Sequence, residues 1–216
     1  MPILFLSLYT ADAGLHLWAC FPPEKHAVRR ISKCFLLPLL SVCYVLLAKN
    51  FSPLVLAALL CGFAGDAFLL PSDSRPMFAA GLTAFAAGHA LYASAMLQSL
   101  PRLPSVLAIV LFSVCSVAAA AGFVRYLWSG LPRALIAPCF LYAYLILLMN
   151  GCALLFAFAH SAFPGPLAAP GALLFLASDT MLSVHAFRRP VPYRRFAVMS
   201  TYIAAQTMLS MSLALA

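Results

Sequence analysis

Acidic residues are almost missing from this chain. Asp12, Glu24, Asp66, Asp73 and Asp179 are the only five among 216 residues, and all charged residues together make up 8%. Soluble domains carry about 25%. So little charge cannot provide a hydrated surface, which excludes an ordinary water-soluble globular fold. Several catalytic signatures are missing too. There is no G-x-S-x-G nucleophile elbow, no Walker loop and no H-E-x-x-H. No CxxC pair exists, and the seven cysteines (20, 34, 43, 61, 115, 139 and 152) lie scattered, mostly inside apolar runs. They read as small core residues, and neither disulfides nor a zinc cluster is expected.

What fills the chain is apolar: 65% of residues are hydrophobic and the mean hydropathy is +1.02. The expected fold is all-α: a polytopic membrane protein of eight transmembrane helices with short loops, forming one integral-membrane domain over 1–216. A span takes about 20 apolar residues. The sequence predicts spans near 2–20, 34–48, 54–71, 77–99, 105–123, 134–159, 171–187 and 197–215. The first run lacks a basic leader and reads as a retained span rather than a signal peptide.

The net charge of +8 is a topology signal rather than a sign of nucleic-acid binding. Eleven of the 13 Lys and Arg residues fall in the loops after spans 1, 3, 5 and 7. That bias places those loops in the cytoplasm and both termini on the other side, which an even number of spans requires.

Asp66 and Asp179 lie inside apolar runs, where carboxylates are costly and generally functional. On the predicted topology they share a layer with His89, Tyr202, Gln206, Asp12 and His16. Polar groups facing lipid have no reason to share a depth, whereas a polar cavity collects them. One reading has the two aspartates facing each other across a pocket. Two such carboxyls sharing a proton supply an acid and a base together. The other reading has each capping a broken helix, or pairing with Arg75 or Arg188 at the membrane edge. His89 has Phe85 and Tyr92 one turn away on its own helix face. Tyr92, Tyr202 and Gln206 suit either orientation of a head group or plain interhelical bonding, and Gly81 and Gly88 suit close helix packing. Asp12 and His16 are four apart and placed to pair. Residues 64–69 (AGDAFL) echo 177–182 (ASDTML), as two four-helix halves in one orientation would.

The pattern resembles the YhhN-like membrane proteins, which include the lysoplasmalogenases. The residues that carry the likeness are Gly65-Asp66, Phe78, Gly81, Phe85, His89 and Tyr92, then Tyr144 and Met149, then Gly171, Phe175, Ser178-Asp179 and Phe187, and finally Tyr202 and Gln206. Their order runs from about span 2 to span 8. The resemblance implies an eight-span hydrolase in the inner (cell) membrane of a bacterium. It would cleave the vinyl ether bond of a lysophospholipid, the lysoplasmalogen, to a fatty aldehyde and glycerophospho-ethanolamine or glycerophospho-choline. No cofactor, no metal and no nucleic acid enter that picture; the partners are the substrate and membrane lipids.

Acid catalysis fits such a bond, because protonation of the vinyl ether carbon is its slow step. Asp66 and Asp179 are the expected catalytic pair, with His89, Tyr92, Ser178, Tyr202 and Gln206 in positioning or substrate-binding roles. Two competing readings use the same residues. A zinc-dependent lipid hydrolase resembling alkaline ceramidases would use His89, His160 or His185 with an aspartate. A proton-coupled transporter would use the acids as carriers.

Overall fold

The computed structural model describes residues 1–21, 25–70 and 75–216. Eight helices follow one another: α1 (Pro2–Cys20), α2 (His26–Leu47), α3 (Pro53–Phe68), α4 (Arg75–Gln98), α5 (Val106–Leu127), α6 (Ile136–Ala159), α7 (Ala168–Phe187) and α8 (Arg194–Leu215). Short 3-10 turns precede α6 and α7, and no strand occurs among the described residues. Seven helices are long and apolar enough to cross a membrane; α3 is apolar but only 16 residues long. At 1.5 Å per residue it measures about 24 Å, against a hydrocarbon core of about 30 Å.

Chain chemistry explains most of the boundaries. Pro53 opens α3, where its missing N–H costs nothing. Ser105 caps α5, its hydroxyl accepting from the Ala108 N–H at 3.2 Å. Tyr44 closes the turn between α2 and α3, its phenol oxygen accepting from the Ser52 N–H at 2.8 Å. The largest departure from expectation is at α2, which begins at His26 rather than near residue 34. Residues 26–33, more than half of the presumed basic loop, are therefore helix. Long Lys and Arg stems can lie along apolar surface while their heads find polar partners, so charge alone does not mark where a span begins. The turn carrying Asp73 lies outside the described residues.

Helices adjacent in sequence pack as antiparallel neighbours in α1–α2, α3–α4 and α7–α8, and α4 packs against α6. Helix α8 is the most enclosed, touching α1, α2, α3 and α7. One apolar core, which includes Tyr44, Leu59, Met96, Met149, Phe175 and Leu209, runs through α2, α3, α4, α6, α7 and α8. Close approach of α3 and α4 depends on Gly65: a Cβ there would meet the Phe85 ring at 2.6 Å. Helix α5 is different. It packs mainly on α6, touches α7 lightly, and buries only Ser116, Ala120, Val124 and Leu127. Its other face is exposed.

Candidate active site

Asp66 occupies the last turn of α3 and is 4% exposed. Its Oδ1 lies 3.0 Å from Lys33 Nζ on α2, and its Oδ2 accepts a 2.9 Å hydrogen bond from the Tyr202 hydroxyl on α8. The neighbouring Gly65 lets the Phe85 ring settle against the helix backbone, and Phe85 meets Tyr202 edge-on at 6.0 Å. One turn further along α8, Gln206 Oε1 accepts from the Tyr92 hydroxyl at 2.8 Å. This half of the site is a closed charge pair with a phenol on it. A buried pair of this kind is held by geometry, since removing either partner strands the other charge.

Asp179 sits mid-way along α7. The Tyr142 hydroxyl on α6 donates to its Oδ2. His89 Nε2 on α4 lies 3.0 Å from the Tyr142 oxygen and 3.6 Å from Asp179 Oδ2. With the phenol proton committed to the carboxyl group, the imidazole is the donor to Tyr142. His89 is 1% exposed, with Nδ1 3.3 Å from Met149 Sδ and its ring edge-on to Phe175 at 4.6 Å. Phe175 in turn meets Tyr202 at 5.4 Å, so a run of rings joins the two carboxyl sets.

No hydrogen bond links Asp66 to Asp179 among the described residues; each carboxyl group has its own partners. A cavity of about 190 Å³ adjoins the Asp179 side. Asp179, Tyr142, Thr180 and Ser183 supply its polar wall, and Phe78, Leu82, Leu127 and Phe187 are among its apolar residues.

The expected residues divide accordingly. Asp66, Tyr202, Tyr92 and Gln206 assemble around α8; Asp179 lines the cavity, and His89 stands behind it, against Tyr142. Ser178 turns away from both, its hydroxyl donating to the Val198 carbonyl at 3.0 Å and tying α7 to α8. Asp12 and His16 do not pair. His16 Nδ1 lies 2.8 Å from Ser32 Oγ, while His16 Nε2 and Asp12 Oδ2 are buried without a partner. Nor does Arg188 reach Asp179: its guanidinium bonds Ser129 at 2.5 Å and lies over Tyr126. The side chain of Arg75 lies outside the described residues.

The histidines invoked for zinc are dispersed. His160 stacks on Phe156, and His185 accepts from the Val191 N–H. No three His, Cys, Asp or Glu residues gather into a metal-binding group among the described residues. The side chains present do not fit a zinc centre.

Two members of the site escape sequence reasoning. Lys33 passes for a topology signal. Yet α2 starts where α3 ends, so a cation near the start of one stands at the depth of an acid near the end of the other. Tyr142 carries no comparable signal, being one of several aromatics in the long apolar run of α6.

The chain is 34% identical to lysoplasmalogenase TMEM86B of Sus scrofa, over 94% of this chain and 83% of that protein. It is 33% identical to lysoplasmalogenase TMEM86A of Homo sapiens, over 77% of this chain and 68% of that protein. Lysoplasmalogenase TMEM86B of Homo sapiens is 29% identical over 76% of this chain and 64% of that protein. No solved structure matches. The YhhN family model matches residues 28–213, a stretch that holds Lys33, Asp66, His89, Tyr142, Asp179 and Tyr202, and the chain belongs to that family.

Proposed function

We propose that this protein is a membrane hydrolase that cleaves the vinyl ether bond of lysoplasmalogens. The products are a fatty aldehyde and a glycerophospho-ethanolamine or glycerophospho-choline. The observation that carries the reading is Asp179: a carboxyl group backed by Tyr142 and His89 on one oxygen and adjoining an apolar cavity. The similar proteins carry the name lysoplasmalogenase, which supports the same class of lipid.

The chemistry follows from the arrangement. Asp179, in its acid form, gives its proton to the β-carbon of the vinyl ether, and the C=C electron pair forms the new C–H bond. An oxocarbenium ion results. Tyr142, donating to Oδ2, steadies the carboxylate that remains. Asp66, its charge held beside Lys33, completes the pair by placing a second negative centre near the cation. Water adds to the oxocarbenium carbon and returns a proton to the Asp179 carboxylate. The hemiacetal then collapses to aldehyde and alcohol, so one water is consumed and no electrons are exchanged with a cofactor. Protonation by a positioned acid is worth about 10²–10⁴ in rate. Tyr92, Tyr202 and Gln206 fix α4 and α8 against the pair, and Ser178 fixes α7 against α8.

The chain would lie in the cell membrane with all eight helices crossing, α3 the shortest of them, and both termini outside, as the one-sided Lys and Arg distribution favours. Purified protein incubated with a lysoplasmalogen and with its ester-linked counterpart should release aldehyde from the first only. In D₂O the aldehyde should carry one deuterium on the carbon next to the carbonyl. Equal hydrolysis of both lipids, or aldehyde without deuterium, overturns the mechanism.

A further inference from the structure

The cavity beside Asp179 is small. Ligand pockets usually run from about 300 to 1,000 Å³, and 190 Å³ holds only part of a lipid. A second hollow of about 390 Å³ lies further along α5, α6 and α7, lined by residues that include Phe112, Asn150, Gly151, Leu154, Ala169 and Leu173. Ala119, Leu147 and Leu176 line both. The two hollows therefore adjoin, sharing a wall at these residues, and together they follow the seam of α5, α6 and α7 from Asp179 toward the far ends of these helices.

Apart from Ser116 and Asn150, the lining along this course is apolar, and its outer part is open at the side. Leu173 is 61% exposed, Leu154 50% and Phe112 43%. The seam remains unfilled because small residues face it. Ala119 adds no bulk at the inner part, while at Gly151 the Phe112 ring rests directly on the backbone.

We propose that this seam is the binding groove for the substrate's alkenyl chain, and that it measures chain length. The proposal rests on the reading of Asp179 as the acid, since that fixes where the vinyl ether must sit. Thr180 and Ser183 lie on the Asp179 side, where the glycerol end belongs; the chain runs the other way. From Asp179 back to Ala169 is about ten residues of α7, or about 15 Å. An extended chain with staggered torsions advances about 1.3 Å per carbon, so the groove takes roughly twelve carbons. Beyond that the chain emerges among bilayer lipids, and further carbons gain nothing. Ala119, at the junction, decides whether a chain passes from the inner hollow to the outer one.

The test uses full-length protein and saturated 1-O-alkyl lysophosphoethanolamines, which have no vinyl ether to cleave. Probes of increasing length are applied as monomers, below the concentration at which they self-assemble. Each methylene that leaves water for the groove should tighten binding roughly fourfold, levelling off at about twelve carbons. Ala119→Phe should bind the shortest probes like the wild type and stop gaining at the junction, so the affinity ratio widens with chain length. Leu111→Phe, on the same helix but lining neither hollow, should follow the wild type. A ratio that stays flat with length, or the same break in Leu111→Phe, overturns the groove. Binding needs no cleavage, so the two readings fail separately. A chain-length break without aldehyde release sinks the proposed reaction and leaves the groove standing; aldehyde release with a flat ratio does the reverse.

Discussion

Asp66 and Asp179 are both carboxyl groups on inward-facing turns of apolar helices, and both accept from a tyrosine, yet their surroundings differ. Asp66 is closed in by α2, α3 and α8 and holds a lysine at 3.0 Å. Asp179 has no lysine or arginine within ion-pair distance among the described residues; its neighbours are a phenol and an imidazole, and a cavity lies beside it. The packing explains the contrast. Helix α8 fills the space beside Asp66, whereas α5 leaves the space beside Asp179 partly empty. A charge that is paired and enclosed organises structure and electric field, while a carboxyl group left beside a hollow can meet a ligand.

Substitution should separate the two. The largest loss is expected from Asp179→Asn. Turnover of lysoplasmalogen should fall by about 10²–10⁴, with the melting temperature of the purified protein nearly unchanged. Lys33→Met should act the other way round, chiefly on stability. Stranding a buried charge costs about 3–5 kcal/mol, and replacing Asp66 by Leu in the same molecule should recover most of that loss. If Lys33→Met leaves unfolding in denaturing detergent unaltered, the pair is not the structural anchor the contrast requires.

Tyr142→Phe removes the donor to Asp179 and leaves the ring that His89 packs against. A net hydrogen bond to a charged group is worth about 1.5–3 kcal/mol, so kcat should drop by one to two powers of ten with little change in KM. The smallest effect belongs to Ser178→Ala. Losing its bond to the Val198 carbonyl should cost about 1 kcal/mol of stability and leave kcat alone, even though Ser178 stands next to Asp179 in the chain. A large kcat effect there would move the working surface of α7 by one residue.

Much of this contrast is legible in the amino-acid sequence. Asp66, His89, Asp179, Tyr202 and Gln206 stand out because polar atoms at one depth in an apolar chain are rare. What depth cannot say is which of them touch. Periodicity places residues on a helix but does not choose the neighbour that the helix faces. Hence Ser178, one step from Asp179, ends on α8 rather than in the site. Lys33 is hidden for another reason: a long basic stem is compatible with either a loop or a helix flank, so composition misplaces the start of α2 by two turns. The cavity is hidden most deeply, since it exists through what α5 fails to fill at Ala119.

The brevity of α3 reaches beyond packing. A helix about 24 Å long can cross if the lipid alongside dips by several ångströms. Asp66 lies on its final turn, so the dip would fall beside the charged end of the molecule. The proposed hydrolysis would consume one water per lipid inside an oily wall. A local thinning there would carry the aqueous phase to the reaction's doorstep, which makes this stunted helix a supply line as well as a strut.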